Sequence, residues 1–367
     1  MARKGLNIYH RKDGRWEGRY KSGYTADGQT KYSSVYGKSY SAVRDILIEK
    51  KSEKESNTMS VCKLTVGEII NKWLKDVIIR VKESTYANYQ MKLNKHILPH
   101  FSGMRYDYLT VEKLNDFIVT KISSGLSEKY VSDIVVLLKS IANYASKHLE
   151  FINRIGSVSM PKSYNLPETR LYSVSEQSKL MDYITNNPSC SNVGVLLTLT
   201  TGLRIGELCS LKWEDIDLEK STLTVRHTVQ RISNGSGKGT KLIVSSPKSS
   251  KSLREIPLPD FIIPLLKEIK ADSDCFVLSG NSKIVEPRTM QYRFKSLLKK
   301  VGLPYVNFHS LRHIFASNCV ALGCDVKTLS EILGHSSVSV TLSRYVHSSM
   351  ERKKNCMKLL SNSIGAA

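Results

Sequence analysis

Alternating side-chain types mark the first forty residues as a small β-sheet. Residues 15–25 switch between small or aromatic positions and charged ones, which is the period of two expected of a strand with one covered face. Asp-Gly turns separate this segment from shorter extended runs at 7–11 and 31–36, and such turns between alternating runs indicate hairpins. A helix is expected from about Ser39. The pattern therefore predicts three antiparallel strands with one helix packed behind them.

A helical pattern replaces the alternation between residues 62 and 150. Four apolar stripes of helical period follow polar residues suited to begin a helix. The expected starts are Thr65, Ser84, Thr110 and Ser127. Glu68 completes a capping box at the first start, and the second helix is expected to end near His96, before Pro99. Four helices of this length predict a compact bundle.

Polar residues with Pro161 and Pro167 interrupt the helical pattern and predict a linker. Ser173 and Glu176 then form a second capping box, which opens a mostly helical domain with strand-like sequence between 221 and 257. The expected divisions are 1–59, 60–155, a linker at 156–172, and 173–367. The predicted fold class is mainly α with small β elements: an N-terminal three-stranded sheet plus helix, a four-helix bundle and a mixed α/β last domain.

Composition excludes several protein classes. The chain has 367 residues, of which 41% are hydrophobic and 24% charged, as in ordinary globular proteins. No run approaches the roughly 18 apolar residues of a membrane span, and the basic N-terminus lacks the apolar core of a secretory signal. The seven cysteines form no CxxC pair. This argues against a zinc ribbon or disulfide framework and for reduced thiols in the cytosol.

Net charge is the first positive clue to function. The formal value is +22, and the excess of Lys and Arg is spread along the whole chain. A polyanion wrapped by several modules would suit that distribution, although a merely soluble basic protein remains an alternative. On the predicted sheet, Arg15, Arg19 and Lys21 share the face that the helix leaves open. They are candidates for DNA contact, since β-sheets enter DNA grooves, and the alternative is a solvated face.

Two short segments combine cations with apolar neighbours in the last domain. Arg204 and Glu207 are three apart, which would place both on one helical face as either a rigid anion receptor or a structural ion pair. His309 and Arg312 repeat this spacing. His309 and His313 have a spacing that could bind zinc, but the Glu of HExxH is absent. Further candidates are Lys248 after Pro247, His335 in Leu333-Gly334-His335, and Tyr345.

The order of these segments resembles the tyrosine recombinase family, the phage-type and conjugative-transposon integrases. The matching motifs are TGLRIGEL at 201–208, HSLRH at 309–313, LGH at 333–335 and the downstream Tyr345. The likeness is strong over 173–350. It extends to the helical bundle, which looks like the core-site DNA-binding domain of the family. The N-terminal sheet looks like an arm-type DNA-binding domain.

The resemblance implies a set of catalytic residues and a reaction. The set is Arg204, Lys248, His309, Arg312, His335 and Tyr345, with Glu207 in support. Two arginines suit the non-bridging oxygens of a phosphodiester, and Tyr345 would be the nucleophile that forms a 3′-phosphotyrosine. Lys248, or alternatively Lys251, would protonate the leaving 5′-hydroxyl. His309 would accept the tyrosine proton or bind the phosphate, and His335 would bind phosphate. The covalent link conserves the bond energy, so neither a metal nor another cofactor is expected.

The resemblance also implies partners. They are double-stranded DNA with core and arm-type sites, a homotetramer that exchanges strands through a Holliday junction, and an excisionase or host DNA-bending protein. No membrane partner is expected, and the bacterial cytoplasm at the nucleoid is the expected location. The amphipathic tail at 348–362 would pack either on a neighbouring protomer or on its own chain. A type IB topoisomerase and a non-catalytic DNA-binding regulator on the same fold remain alternative functions.

Overall fold

The computed structural model describes residues 7–24, 30–57, 64–160, 170–234, 239–246 and 252–345, with the single positions 354, 357 and 361. The chain divides into two compact units, residues 1–164 and 165–367. Lys248, Lys251 and most of the predicted tail lie outside the described residues. The units are treated separately below.

The first unit begins with the predicted sheet and helix. Its elements are β1 (Ile8–His10), β2 (Trp16–Tyr24), β3 (Thr30–Gly37) and α1 (Tyr40–Asn57). The strands are antiparallel in the order β1-β2-β3. A Cβ on Gly18 would lie 2.6 Å from Val43 Cγ1 and 2.7 Å from Leu47 Cδ1. Only glycine therefore lets α1 approach the β2 backbone this closely, and the opposite sheet face stays open, as predicted.

A helical bundle follows in the same unit. Its helices are α2 (Val66–Val77), α3 (Glu83–Lys92), α4 (Leu98–Phe101), α5 (Val111–Ser123) and α6 (Glu128–Leu149). Thr65, Thr110 and Ser127 cap α2, α5 and α6, each accepting a backbone N–H with its side-chain oxygen. The capping box with Glu68 is present. The predicted starts at Thr65, Thr110 and Ser127 are confirmed because capping chemistry is local, whereas α3 begins at Glu83 after Lys82, which makes no side-chain cap hydrogen bond.

The prediction that the second helix ends before Pro99 is wrong. The backbone continues through a π-helical turn, Leu93–Ile97, into α4. Leu98 donates its N–H to Leu93 O, five residues back. This wider turn places Pro99 in the first turn of α4, where a missing N–H costs little.

The chain returns to the bundle after α6. Glu150 adopts a left-handed conformation with φ of 57°, and Ile155 and Val158 are then buried in the bundle core. Residues just after 155 therefore still belong structurally to this packing. Residues 161–169 lie outside the described ranges, and the predicted domain limits stay a prediction.

The second unit is mainly helical around two small sheets. Its helices are α7 (Val174–Asn186), α8 (Cys190–Thr201), α9 (Ile205–Ser210), α10 (Ile263–Glu268), α11 (Pro287–Val301), α12 (His309–Ala321), α13 (Val326–Leu333) and α14 (Val338–Tyr345). Its strands are β4 (Ile216–Asp217), β5 (Thr222–Val225), β6 (Thr228–Ser233), β7 (Thr240–Ser245) and β8 (Arg254–Pro257). One antiparallel sheet has the order β4-β5-β8, and β6 pairs with β7. Helix α8 is buried along most of its length and positions the segment that follows it.

Candidate active site

Arg204 stands in the tight connection between α8 and α9. Gly202 ends α8 in the left-handed region, with φ of 68°, which glycine adopts without strain. Arg204 has extended backbone and is the N-cap of α9, and its N–H donates to Glu207 Oε2 at 3.0 Å. Arg204 therefore stands just before the helix, and its side chain pairs with Glu207 three residues later, as the spacing predicted. The Glu207 carboxylate accepts from both the backbone N–H and the Nη1 of Arg204, which holds the guanidinium at the start of the helix.

Glu207 lies between two guanidinium groups. It is 4% exposed and accepts from Arg204 Nη1 at 2.8 Å and from Arg254 Nη2 at 2.9 Å. Burial by itself would raise the pKa of this carboxyl, but the charge and hydrogen bond of Arg254, with Arg204, outweigh it and hold the pKa below its usual value. Glu207 is therefore an anion that fixes two cations in one place.

Arg312 is held by the carboxyl ends of two helices. Its Nη1 donates to Gly202 O and its Nη2 donates to Leu333 O, both at 2.7 Å. The side chain is 1% exposed. Burial, and then the charge of Arg204, lowers the pKa of Arg312, yet an arginine remains protonated at neutral pH. The two carbonyls fix a buried cation beside Arg204.

Tyr345 ends α14 against two histidines. Its hydroxyl lies 2.8 Å from His313 Nδ1, and its ring is stacked parallel to that of His335 with centroids 6.5 Å apart. His335 Nδ1 in turn lies 2.8 Å from the hydroxyl of Thr341, which is fully buried. Tyr345 is 8% exposed, so the surrounding side chains set the direction of its hydroxyl.

The histidines and the tyrosine of this site are held in their neutral forms next to fixed cations. Burial, followed by the neighbouring positive charges, lowers the pKa of His335 to about 4. His309 is exposed at the surface, yet partial burial of its ring, followed by the charges of His313 and Arg312, also lowers its pKa. Burial raises the pKa of Tyr345 despite the opposing effect of Arg312. At neutral pH the site therefore has neutral imidazoles and a protonated phenol beside permanent guanidinium charge.

The last unit thus brings five of the six predicted catalytic residues, and Glu207, onto connected elements. Arg204 donates to Gly334 O at 3.2 Å, across 130 positions of chain, which joins the start of α9 to the end of α13. His309 is exposed one turn before Arg312 on α12. The sixth residue, Lys248, lies outside the described ranges.

Comparisons with known proteins bear on this arrangement. A model described as the phage integrase family matches residues 171–352, and one described as the phage integrase N-terminal SAM-like domain matches 65–122. A tyrosine recombinase XerC-like protein of Caldanaerobacter subterraneus subsp. tengcongensis is 28% identical over 329 residues, covering 82% of this chain and 83% of that protein. Tyrosine recombinase XerA of Pyrococcus furiosus is 30% identical over 295 residues, covering 77% of this chain and 91% of that protein.

The chain belongs to the tyrosine recombinase family. It is a DNA strand-cleaving and strand-joining enzyme of site-specific recombination. The solved Tn1549 transposon integrase in complex with transposon right end DNA has the same fold. It matches with a TM-score of 0.67 at 20% identity, over 81% of this chain and all of that one. The predicted family and fold class are confirmed.

Sequence reasoning about the recombinase missed three groups in the site. Arg254 pairs with Glu207, His313 meets the Tyr345 hydroxyl and Thr341 orients His335. Arg254 had a readable signal, because it alternates with Ile256 on β8 and so occupies an inward position among apolar ones. The region around Thr341 read as ordinary helix sequence, and only tertiary contacts reveal its role.

The predicted DNA-contacting residues of the recombinase's N-terminal sheet are partly neutralised by neighbours. Arg15 pairs with Asp13 at 2.8 Å and Arg19 pairs with Glu17 at 3.0 Å, and both arginines remain exposed. Lys21 lies opposite Tyr32 in the strand register. The open face therefore carries the cations that the alternation predicted, together with carboxylates that reduce its net charge, and exposed tyrosine rings lie beside them.

Two further observations concern metal ions and membranes. Within the described residues of the recombinase, no group of three or more His, Cys, Asp or Glu side chains is placed to hold a metal ion. His309 and His313 instead pack edge to face with ring centroids 4.7 Å apart. Among the helices in those same ranges, none combines the length and apolar content needed to cross a bilayer.

Proposed function

We propose that Tyr345 is the nucleophile of this recombinase and that Arg204 and Arg312 bind the phosphate that it attacks. The observation that carries the proposal is the convergence of α9, α12, α13 and α14 on one tyrosine. Gly202 and Leu333 hold Arg312, Gly334 holds Arg204, and His335 stacks on Tyr345. A phenol surrounded by fixed cations suits attack on an anionic phosphodiester.

The two arginines differ in what they offer to DNA. The Arg204 side chain is 37% exposed, and we propose that it contacts a non-bridging oxygen directly. Arg312 is buried and its Nη1 and Nη2 donate to two carbonyls, so we propose that it binds the phosphate mainly through its charge. His309 is exposed one helical turn before it. Because the guanidinium groups are already held by Glu207 and by carbonyls, they need little reorganisation when charge develops in the transition state.

The reaction is a balanced transesterification. The Tyr345 oxygen forms a bond to phosphorus as the bond from phosphorus to the 5′-oxygen breaks, leaving a 3′-phosphotyrosine and a free 5′-hydroxyl. Lys248 is proposed to protonate that leaving oxygen, with Lys251 as the alternative, and His335 to bind the phosphate. Attack by a 5′-hydroxyl from another strand reverses the step and rejoins the DNA.

The proposed substrate is double-stranded DNA with core and arm-type sites, acted on by a homotetramer through a Holliday junction. The net charge of +22 supports extensive phosphate contact, whose strength falls steeply with salt. The task proposed is integration or excision of a mobile element, with an excisionase or DNA-bending protein as partner. The proposed location is the bacterial cytoplasm, at the nucleoid, where this DNA would lie.

The proposed division of labour follows the predicted domains. Residues 1–59 would bind arm-type sites, 60–155 core sites, and 173–367 would carry the chemistry, with 156–172 as the linker. The open face of β2, with Arg19 and its neighbour Tyr36 exposed, supports the first assignment. The compact capped bundle supports the second.

A nicked suicide substrate tests the nucleophile. The wild-type chain should give a protein–DNA adduct that resists SDS, and Tyr345→Phe should give none while it still binds DNA. Tyr305→Phe is the matched control, because Tyr305 is exposed on a loop, and it should form the adduct normally. An undiminished adduct from Tyr345→Phe would falsify the assignment. Relaxation of plasmid DNA without recombination of paired sites would favour a topoisomerase.

A further inference from the structure

The hydroxyl of Tyr345 has a specific partner that the family motif did not single out. His313 Nδ1 lies 2.8 Å from it, and the two rings are in contact at 5.5 Å between centroids. The resemblance implied that His309 would either accept the tyrosine proton or bind the phosphate. In the structure His309 packs edge to face on His313, one helical turn away along α12, and His313 meets the hydroxyl instead.

The tautomer of His313 sets the direction of this hydrogen bond. Burial raises the pKa of Tyr345, so the phenol keeps its proton and can donate it to Nδ1 when the imidazole carries its own proton on Nε2. The groups facing His313 are Arg344 and Tyr345 on α14 and His309 and Arg312 on its own helix. Burial, followed by the charges of Arg344 and Arg312, lowers the pKa of His313. The imidazole is therefore neutral and ready to accept a proton at neutral pH.

Phosphoryl transfer from DNA to this phenol requires the proton to leave. A free phenol has a pKa of about 10 and is a weak nucleophile at neutral pH. A base within hydrogen-bond reach of the proton meets the geometric requirement for general-base catalysis. His313 meets it in the chain without DNA. Arg344, exposed on α14, also interacts with the Tyr345 oxygen and would stabilise the developing negative charge.

We propose that His313 Nδ1 accepts the hydroxyl proton of Tyr345 as the phenolic oxygen attacks phosphorus. The inference rests on the proposed function of Tyr345. In the step, the O–H bond of Tyr345 breaks as the oxygen–phosphorus bond forms, the proton passes to His313, and the leaving 5′-oxygen takes a separate proton from the general acid. When the strands are rejoined, the imidazolium returns its proton to the departing phenol.

Single-turnover adduct formation by the full chain on the suicide substrate tests this role. His313→Asn keeps an oxygen near the position of Nδ1 that can accept a hydrogen bond but cannot take up the proton. His313→Ala removes both the hydrogen-bond acceptor and the base. Each variant should bind DNA like wild type and form the adduct about 10²–10⁴-fold more slowly, the usual contribution of a general base. His227→Asn, exposed between β5 and β6, is the matched control and should react at the wild-type rate.

The pH profile and chemical rescue separate proton transfer from positioning. The wild-type rate should fall as pH drops through the His313 pKa, which lies below its ordinary 6.5. This fall in rate at low pH, the acid limb of the profile, should be absent from His313→Asn. Added imidazole should restore adduct formation to His313→Ala but not to Tyr345→Phe. A wild-type rate with an unchanged acid limb in His313→Asn would overturn the inference while leaving Tyr345 as nucleophile. An adduct from Tyr345→Phe would instead overturn the proposed function.

Discussion

Replacing Glu207 by Gln isolates the energetic value of the buried charge cluster. The substitution keeps the shape of the side chain and removes one negative charge. Glu207 is the carboxylate that both Arg204 and Arg254 contact in the structure. After the change, an amide nitrogen would face one guanidinium, donor against donor. Arg254, whose side chain is 6% exposed, would be left as a poorly compensated buried cation.

The expected loss in the free energy of unfolding follows from the burial of the Glu207 carboxylate. Removing one partner of a buried ion pair costs about 3–5 kcal/mol, because the other charge is left without compensation. For a unit of about 200 residues, each kcal/mol shifts Tm by roughly 2–4 °C. The variant should therefore melt roughly 10 °C below wild type at pH 7. Adduct formation should fall as well, since Arg204 loses the group that orients it.

Thermal unfolding followed by circular dichroism at several pH values measures this effect. The pKa of Glu207 is lowered in the folded chain, so its stabilisation is present above the unfolded pKa of about 4.3 and is lost as pH falls through the folded value. The difference in stability between wild type and Glu207→Gln should stay constant from pH 7 to about pH 4.5 and become smaller below that pH. Glu255→Gln, on the exposed side of β8, is the control and should change stability by less than about 0.5 kcal/mol.

Two results would refute this reasoning. If Glu207→Gln melted within about 2 °C of wild type, the buried cations would not depend on this carboxylate. If the stability gap stayed constant at the lowest pH tested, the carboxylate would not be the ionised group that the contacts require.

Two other substitutions probe the frame of the site. Gly202→Ala should destabilise the chain by about 2–4 kcal/mol, because the new Cβ combines backbone strain with overpacking: φ is 68° and the Cβ would lie 2.6 Å from Phe315 Cδ1. A Tm of Gly202→Ala equal to that of wild type would contradict this. Gly103→Ala is the control, because a Cβ at Gly103 would have no neighbour within 4 Å. Thr341→Val should cost about 1 kcal/mol through the lost bond to His335 and should slow adduct formation more than it weakens DNA binding. Equal effects on both, measured by gel assays, would show that Thr341 does not orient His335.

Local chemistry explains why much of the fold was predictable. Thr65, Ser127 and Ser173 begin helices in the structure because a side-chain oxygen satisfies an N–H only a few residues away. The strand alternation around Gly18 likewise follows from a contact face that repeats every second residue. Pro99 shows the limit of such reasoning, since the π-turn that accommodates it depends on how the preceding helix packs.

The candidate site was predictable by residue type but not by arrangement. The motif named Arg204, His309 and Tyr345, and the resemblance offered His309 as either the acceptor of the tyrosine proton or a phosphate ligand. The structure makes Arg204 an N-cap and gives the Tyr345 hydroxyl to His313. A hydrogen bond across 32 positions has no periodicity that a sequence can display.

The sequence by itself determined the helix starts, the alternating strands, the excess of positive charge and the family to which the chain belongs. Each of these features depends on residues that are close together in the sequence or on the overall composition. Only the tertiary structure decided that Arg254 balances Glu207, that helix-end carbonyls hold Arg312, and which histidine meets Tyr345. These contacts join residues far apart in the chain, and their geometry is fixed when the helices pack and water is excluded from between them.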